Sequence, residues 1–369
     1  MKTLTTTFHA SVNTGSFLQA YALQRTIVEK LKIENKIIDF QTQNQKNLYR
    51  IFKPNKNLSS IARNIFSILH LKKLKKRHLR YEEMRNQFLD MTEEVSTEEE
   101  VYSIAKNADI NIVGSDQIWN TKIADFSPAY FMPNINTKKI AYAVSAGPYA
   151  SKNIEEKYYD DIRCFSAVSA REKSMLEAIS AIRNDATVVL DPTCLLNKEE
   201  YYPLFEKERK IKGDYILLYT INNNEEILKT AKKLSKELGI KVVAPFSNYG
   251  SLKALKYGIK LVYDASPDVF LNLFYNAKTV LTNSFHGTAL SVIFRKDFYR
   301  VAKEENGAFV KDARIDDFLD SIDLNRTISF NTDVGYIKQN MNADYKEAEK
   351  KLNELKEKSL NYLRESLKN

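Results

Sequence analysis

Cysteine is nearly missing from this chain of 369 residues. Cys164 and Cys194 are the only two, too few for a disulfide framework and without metal-ligand spacing. A reducing, cytoplasmic setting is the corresponding expectation. Glycine and proline are also sparse, at 10 and 8 residues, which leaves little room for low-complexity linkers. No apolar run reaches the ~18 residues that a bilayer span requires. The N-terminal stretch MKTLTTTFHASVNTGSF has no continuous apolar centre, so it does not read as a secretory signal. No HExxH, paired CxxC, P-loop or GxGxxG occurs, and no metal site or cofactor is expected.

Acid is missing from one long segment. Between Phe40 and Tyr81 there is none, yet Lys46, Arg50, Lys53, Lys56, Arg63, Lys72, Lys73, Lys75, Lys76, Arg77 and Arg80 lie there. Within it Leu58, Ile61, Ala62, Ile65, Phe66 and Leu69 recur at helical spacing. A basic amphipathic helix of this kind can lie on an anionic membrane surface. It can equally pack on its own domain with a solvated basic face. No nucleic-acid-binding motif accompanies the cations, so no nucleic-acid partner is expected.

What is present is an ordinary globular composition, 43% hydrophobic and 28% charged, in a chain long enough for two domains. Short β-branched runs alternate with helical patterns. Strands are expected at 1–8, 35–40, 108–113, 139–145, 165–170 and 187–190, with helices at 16–31, 101–107, 154–164 and 172–182. After a charged stretch at 197–213 the pattern restarts. It gives strands at 215–220, 241–245, 261–263 and 279–282, helices at 225–238 and 287–294, and a helix opened by Ser266-Pro267. A long charged helix at 343–367 ends the chain. Such alternation implies parallel sheets with crossover helices. The expected architecture is α/β: two Rossmann-like domains facing across a cleft, at 1–205 and 206–340, with a C-terminal helix at 341–369. The basic segment 41–81 is an insertion in the first.

In such sheets ligands bind at the carboxyl ends of strands, and that rule ranks the polar residues. His286 ranks first. It follows the strand TVLT in a turn entering a helix, where backbone N–H groups and the helix dipole favour an anion. Gly287 lets backbone approach a ligand, Ser284 and Thr288 offer hydroxyls, and the imidazole can pass a proton near neutral pH. Arg171 directly follows FSAVSA and presents a planar fork to a carboxylate or phosphate, or an ion pair to Glu172. After the strand ADINIV come Gly114, Ser115, Asp116, Gln117 and Trp119. There Asp116 and Gln117 can bind hydroxyls, Asp116 can act as a base, and Trp119 can stack on a sugar face. The structural alternative makes Asp116 a cap and Trp119 core. Asn13, Gly15 and Ser16 form a small pocket at a helix start, and Arg314 and Arg326 can each reach a cleft, although surface ion pairs suit both better.

Taken in order, the pieces resemble a known family. Asn13-x-Gly15-Ser16 with Leu18 to Leu23, GSDQIWN at 114–120, SARE at 169–172, LDPT at 190–193 and NSFHG at 283–287 are similar to the polysaccharide pyruvyl transferases. The resemblance implies a fold of the glycosyltransferase-B type. It also implies transfer of pyruvate from phosphoenolpyruvate to two hydroxyls of a sugar as a cyclic ketal, with loss of phosphate. On that reading His286 is the general acid and Asp116 the base. Arg171, Ser284, His286, Gly287, Thr288 and Arg314 hold the donor. Asn13, Gly15, Ser16, Ser115, Asp116, Gln117 and Trp119 hold the acceptor, a lipid-linked sugar. Many members have arginine where this chain has Ser284, so either another cation, Arg314 or Arg295, stands in or the donor is bound differently. The alternatives are a glycosyltransferase using a nucleotide sugar, or an inactive carbohydrate-binding relative. A cytoplasmic protein, peripheral on the inner face of the plasma membrane, is the expected location.

Overall fold

The computed structural model describes residues 1–54, 58–221, 224–246 and 249–368, so Lys56 of the basic run and Asn369 lie outside the described residues. The chain divides into two compact units, and neither is continuous in sequence. The first comprises Met1–Arg50, Glu82–Leu196 and Lys350–Asn369, and the second Ile51–Tyr81 and Asn197–Glu349.

The first unit is built on six parallel strands: β1 (Lys2–Thr6), β2 (Glu34–Ile37), β3 (Ile110–Val113), β4 (Lys138–Val144), β5 (Ala167–Ala170) and β6 (Thr187–Val188). Their order is β2-β1-β3-β4-β5-β6. The central strands are short apolar runs such as INIV, buried along their whole length, as a sheet covered on both faces requires. Leu4, Val113, Trp119, Phe131, Ile162 and Ile179 belong to its core.

The second unit repeats the scheme with β7 (Tyr215–Tyr219), β8 (Lys241–Pro245), β9 (Lys260–Val262), β10 (Thr279–Thr282) and β11 (Asp297–Ala302). A small antiparallel hairpin, β12 (Glu304–Glu305) and β13 (Ala308–Phe309), precedes β14 (Thr327–Ser329). The parallel order is β14-β11-β10-β7-β8-β9. The α/β class expected from the alternating pattern is therefore present twice.

Unit membership differs from the divisions 1–205, 206–340 and 341–369, and the packing shows why. Helices Leu58–Leu69 and Leu71–Phe88 carry the basic segment. Leu74 lies in the second core with Ile216 and Ile227, and Phe66 packs on Phe246 and Tyr263. Lys76 pairs with Asp264 at 3.1 Å and Arg80 with Asp268 at 3.2 Å. Residues 51–81 thus fold with the second unit. The last helix, Lys346–Ser366, returns to the first, where Leu360 and Leu363 are buried and the Leu190 N–H donates to Ser359 Oγ at 3.0 Å. Among the described residues no helix is long and apolar enough to cross a membrane.

Candidate functional site

Strand order picks out one position in each sheet. From β1 the chain first adds β2 on one side and then β3 on the other, so the direction reverses between β1 and β3. In the second sheet the reversal falls between β7 and β10. Connections leave in opposite directions at such a point and open a crevice at the strand ends. The segments there are Thr7–Ser16 and Gly114–Gln117 in the first unit. In the second they are Thr220–Ile221 and Asn283–Thr288.

In the first unit, Asn13 caps helix Thr14–Arg25 by accepting from the Gly15 N–H at 3.0 Å. Ser16 in its first turn donates to Asp116 Oδ2 at 2.9 Å, a favourable place for a carboxylate because the helix dipole is positive at that end. Asp116 stands in the left-handed region at φ +75°, just after Gly114 at φ +124°. A Cβ on Gly114 would lie 2.1 Å from the Tyr142 carbonyl oxygen, so only glycine fits there. Around Asp116 the polar groups interlock. Arg171 Nη1 is 3.1 Å from Asp191 and 3.7 Å from Asp116, and its Nε is 3.3 Å from Glu172. Burial alone would make this guanidinium less basic, but Glu172, Asp191 and Asp116 more than offset it and hold the cation firmly charged. Three carboxyl groups thus converge on this one guanidinium.

In the second unit, Ser284 caps helix Phe285–Ile293, and its carbonyl accepts from Thr288 Oγ1 at 3.1 Å. The helix starts two residues earlier than expected, which places half-buried His286 inside the first turn. The Ser284 N–H donates to Thr282 Oγ1 at 3.0 Å. Asn283 Oδ1 accepts from the Ile221 N–H at 3.0 Å and ties the ends of β10 and β7 together. In this turn the Gly287 N–H reaches Ser284 Oγ at 3.5 Å and the Thr288 N–H the Ser284 carbonyl at 2.9 Å, and the helix dipole favours an anion at this end.

One strand over, Arg300 of β11 stands in register with Thr282. It is 3% exposed. Its Nη2 donates to the Val310 carbonyl at 3.1 Å and lies 3.4 Å from Asp316, while Nη1 is buried with no hydrogen-bond partner among the described residues. Burial makes this guanidinium less basic than usual, only partly offset by Asp316 and Asp312. A charged donor kept this way is poised to gain from an anion.

A family model described as polysaccharide pyruvyl transferase matches residues 13–302. The chain belongs to the polysaccharide pyruvyl transferase family. None of the curated proteins matches it. Among solved structures it is similar to UDP-GlcNAc 2-epimerase from Methanocaldococcus jannaschii. That pair has 13% identity and a TM-score of 0.51, covering 96% of this chain and 99% of the other. It is also similar to UDP-N-acetylglucosamine 2-epimerase from Rickettsia bellii, at 11% identity and a TM-score of 0.50, covering 98% and 96%. At these identities the likeness is one of fold.

Within this pyruvyl transferase fold several expected ligand residues are already engaged. Trp119 is fully buried: its indole N–H donates to the Tyr130 carbonyl at 2.9 Å and its face stacks on Phe131, so no sugar can lie against it. Ser115 is buried, with Oγ donating to the Ala143 carbonyl at 2.8 Å. Thr288 is buried with its hydroxyl on Ser284. Gly287 gives close approach, but to protein: a Cβ there would lie 2.2 Å from Thr282 Oγ1 and 2.8 Å from Tyr219. Arg171 is held by acids, as above. Arg314 is bidentate on Asp312 at 2.9 and 2.6 Å. Arg295 lies past the far end of the His286 helix and pairs with Glu349. Asn13 remains exposed and Gln117 half-buried, beside Asp116 and Ser16.

Two residues escaped the sequence reading. His9 follows β1 as His286 follows β10, and the same strand-end rule finds it. Its Nδ1 donates to the Thr7 carbonyl at 3.0 Å and its Nε2 lies 2.9 Å from Asp39. Burial alone would raise the Asp39 carboxyl, but His9, Gln41 and Arg85 hold it below its usual value. Arg300 left no signal, since no strand was expected at 297–302.

Proposed function

We propose that the chain moves pyruvate from phosphoenolpyruvate onto two hydroxyls of a lipid-linked surface-polysaccharide or cell-wall precursor sugar, forming a cyclic ketal and releasing phosphate. The observation that carries this is the pairing, in the second unit, of a helix N-terminus bearing His286 with the partly unsatisfied guanidinium of Arg300 on the adjacent strand. Phosphoenolpyruvate brings a phosphate and a carboxylate, and these groups are what such donors bind. Arg300, rather than Arg314 or Arg295, supplies the charge that Ser284 lacks.

The chemistry balances with one acid and one base. His286 protonates the methylene carbon, which becomes the methyl group, and positive charge develops at the carbon bearing the phosphate. A sugar hydroxyl attacks that carbon, the carbon–oxygen bond to phosphate breaks, and the second hydroxyl closes the ring. Of the two hydroxyl protons, one replaces that given by His286 and the other leaves with phosphate. Asp116 in the first unit is the base for the hydroxyls. Cationic and N–H donors on the departing phosphate lower its barrier. The carboxyl of Asp116 and the hydroxyl of Ser16 beside it suit an acceptor that offers hydroxyls.

Thermal stabilisation tests the reading, because a ligand of the native state raises its apparent stability. Millimolar phosphoenolpyruvate is expected to raise the transition and UDP- and GDP-sugars to leave it unchanged. The reverse pattern establishes the nucleotide-sugar glycosyltransferase instead. His286→Ala is expected to abolish phosphate release with the fold intact; near wild-type turnover in it removes His286 from the chemistry.

A further inference from the structure

Helix Leu58–Leu69 is seated with its apolar side outward. Its polar side chains anchor it: buried Ser67 donates to the Ile51 carbonyl at 3.1 Å, and Asn64 exchanges hydrogen bonds of 3.0 and 2.8 Å with the Lys53 backbone. Phe66 packs on Phe246 and Tyr263. On the other side, Leu58, Ile61, Ile65, Ile68 and Leu69 fall within an arc of roughly 100° of the helix. They are 85%, 42%, 55%, 63% and 75% exposed. Scattered surface aliphatics are ordinary, but five on one helix face form a patch that marks a contact site.

The segment that carries the patch is basic. Lys72 and Lys75 are exposed and carry no ion pair among the described residues. Lys76 reaches Asp264 with 70% of its side chain still exposed. Residues 41–81 hold no acid at all. We propose that this face docks on an anionic lipid bilayer, the five aliphatic side chains entering the boundary between headgroups and acyl chains while the lysines lie on the phosphate layer. A second copy of the chain would set like charges against like, and a nucleic acid offers nothing apolar to the isoleucines. Docking is independent of the transferase reading, because vesicle binding requires no turnover.

The test is co-sedimentation of the full chain with vesicles of phosphatidylcholine alone or mixed with phosphatidylglycerol. Binding is expected only with the mixed vesicles, and it weakens as salt rises. Lys72→Gln and Lys75→Gln are each expected to weaken partitioning roughly fivefold. The triple variant Ile61→Ser, Ile65→Ser, Ile68→Ser changes only outward-facing side chains and is expected to fall to background while keeping its circular dichroism spectrum. Failure to bind mixed vesicles overturns the proposal, as does equal binding by the serine variant. A concentration-dependent dimer that the serine substitutions abolish, without vesicle binding, assigns the face to a second copy instead.

Discussion

Replacing Arg171 by leucine separates a structural cation from a ligand-binding one. The guanidinium lies 3.1 Å from Asp191, 3.3 Å from Glu172 and 3.7 Å from Asp116, and its side chain is 2% exposed. Each acid keeps other partners: Asp191 retains Thr193, Glu172 retains Ser145, and Asp116 retains Ser16. Their hydrogen bonds therefore survive the substitution, but the three acids lose the buried counterion they share. Removing one member of a buried ion pair costs about 3–5 kcal/mol, and with three acids stranded the upper half of that range is expected. At a urea slope of about 2 kcal/mol per molar, the midpoint of the first unit falls by roughly 2 M. Trp119 is the only tryptophan in the chain and is buried in that unit's core, so its fluorescence reports this transition. The loss also depends on pH. Stranded buried carboxyls are raised in the folded variant, so its deficit is largest at neutral pH and shrinks as they protonate on acidification. A midpoint close to that of the parent chain, together with loss of stabilisation by phosphoenolpyruvate, refutes this reasoning and returns Arg171 to the ligand site.

Gly287→Ala forces a methyl group against Thr282 Oγ1 and the Tyr219 ring, at 2.2 and 2.8 Å in the parent geometry. Chemical denaturation is expected to show a loss of about 1–3 kcal/mol, and turnover falls further because the His286 turn shifts; a stable, fully active variant contradicts the packing argument. Arg300→Met is expected to weaken binding of phosphoenolpyruvate and of inorganic phosphate at least about tenfold by calorimetry, since a charge-assisted bond contributes about 1.5–3 kcal/mol; unchanged affinity returns Arg300 to a purely structural role. His78 is held at about 4, below its ordinary 6.5, by burial first and then by Arg77. Between those values the unfolded chain takes a proton that the folded chain does not, so stability is full above 6.5 and falls as pH drops toward 4. Thermal midpoints across that window are expected to decline less in His78→Leu.

The candidate site was legible in sequence as positions more than as roles. β-branched runs ended by a polar turn located Asp116 and His286 correctly at strand ends, because strand termini carry local signals. Those signals do not say which partner occupies a side chain. Ser115, Thr288 and Arg171 looked available beside their neighbours, yet the groups that engage them include Ala143 and Asp191, distant in sequence. Arg300 was hidden because DFYRVA, with a charge in its middle, reads poorly as a strand, and only pairing with β10 makes it one.

By itself the sequence determined the α/β class, the parallel character of its strands, the turn carrying His286 and the acid-free segment 41–81. All of these rest on periodicity or on short-range chemistry. The tertiary structure decided the rest. It chose strand order, and so the two places where crevices open. It assigned residues 51–81 to the second unit through Phe66 and Leu74, and buried Trp119 among other aromatics instead of leaving it for a sugar. It also turned Ile61, Ile65 and Ile68 outward. Burial and ion pairing depend on which distant residues meet, and no local pattern records that.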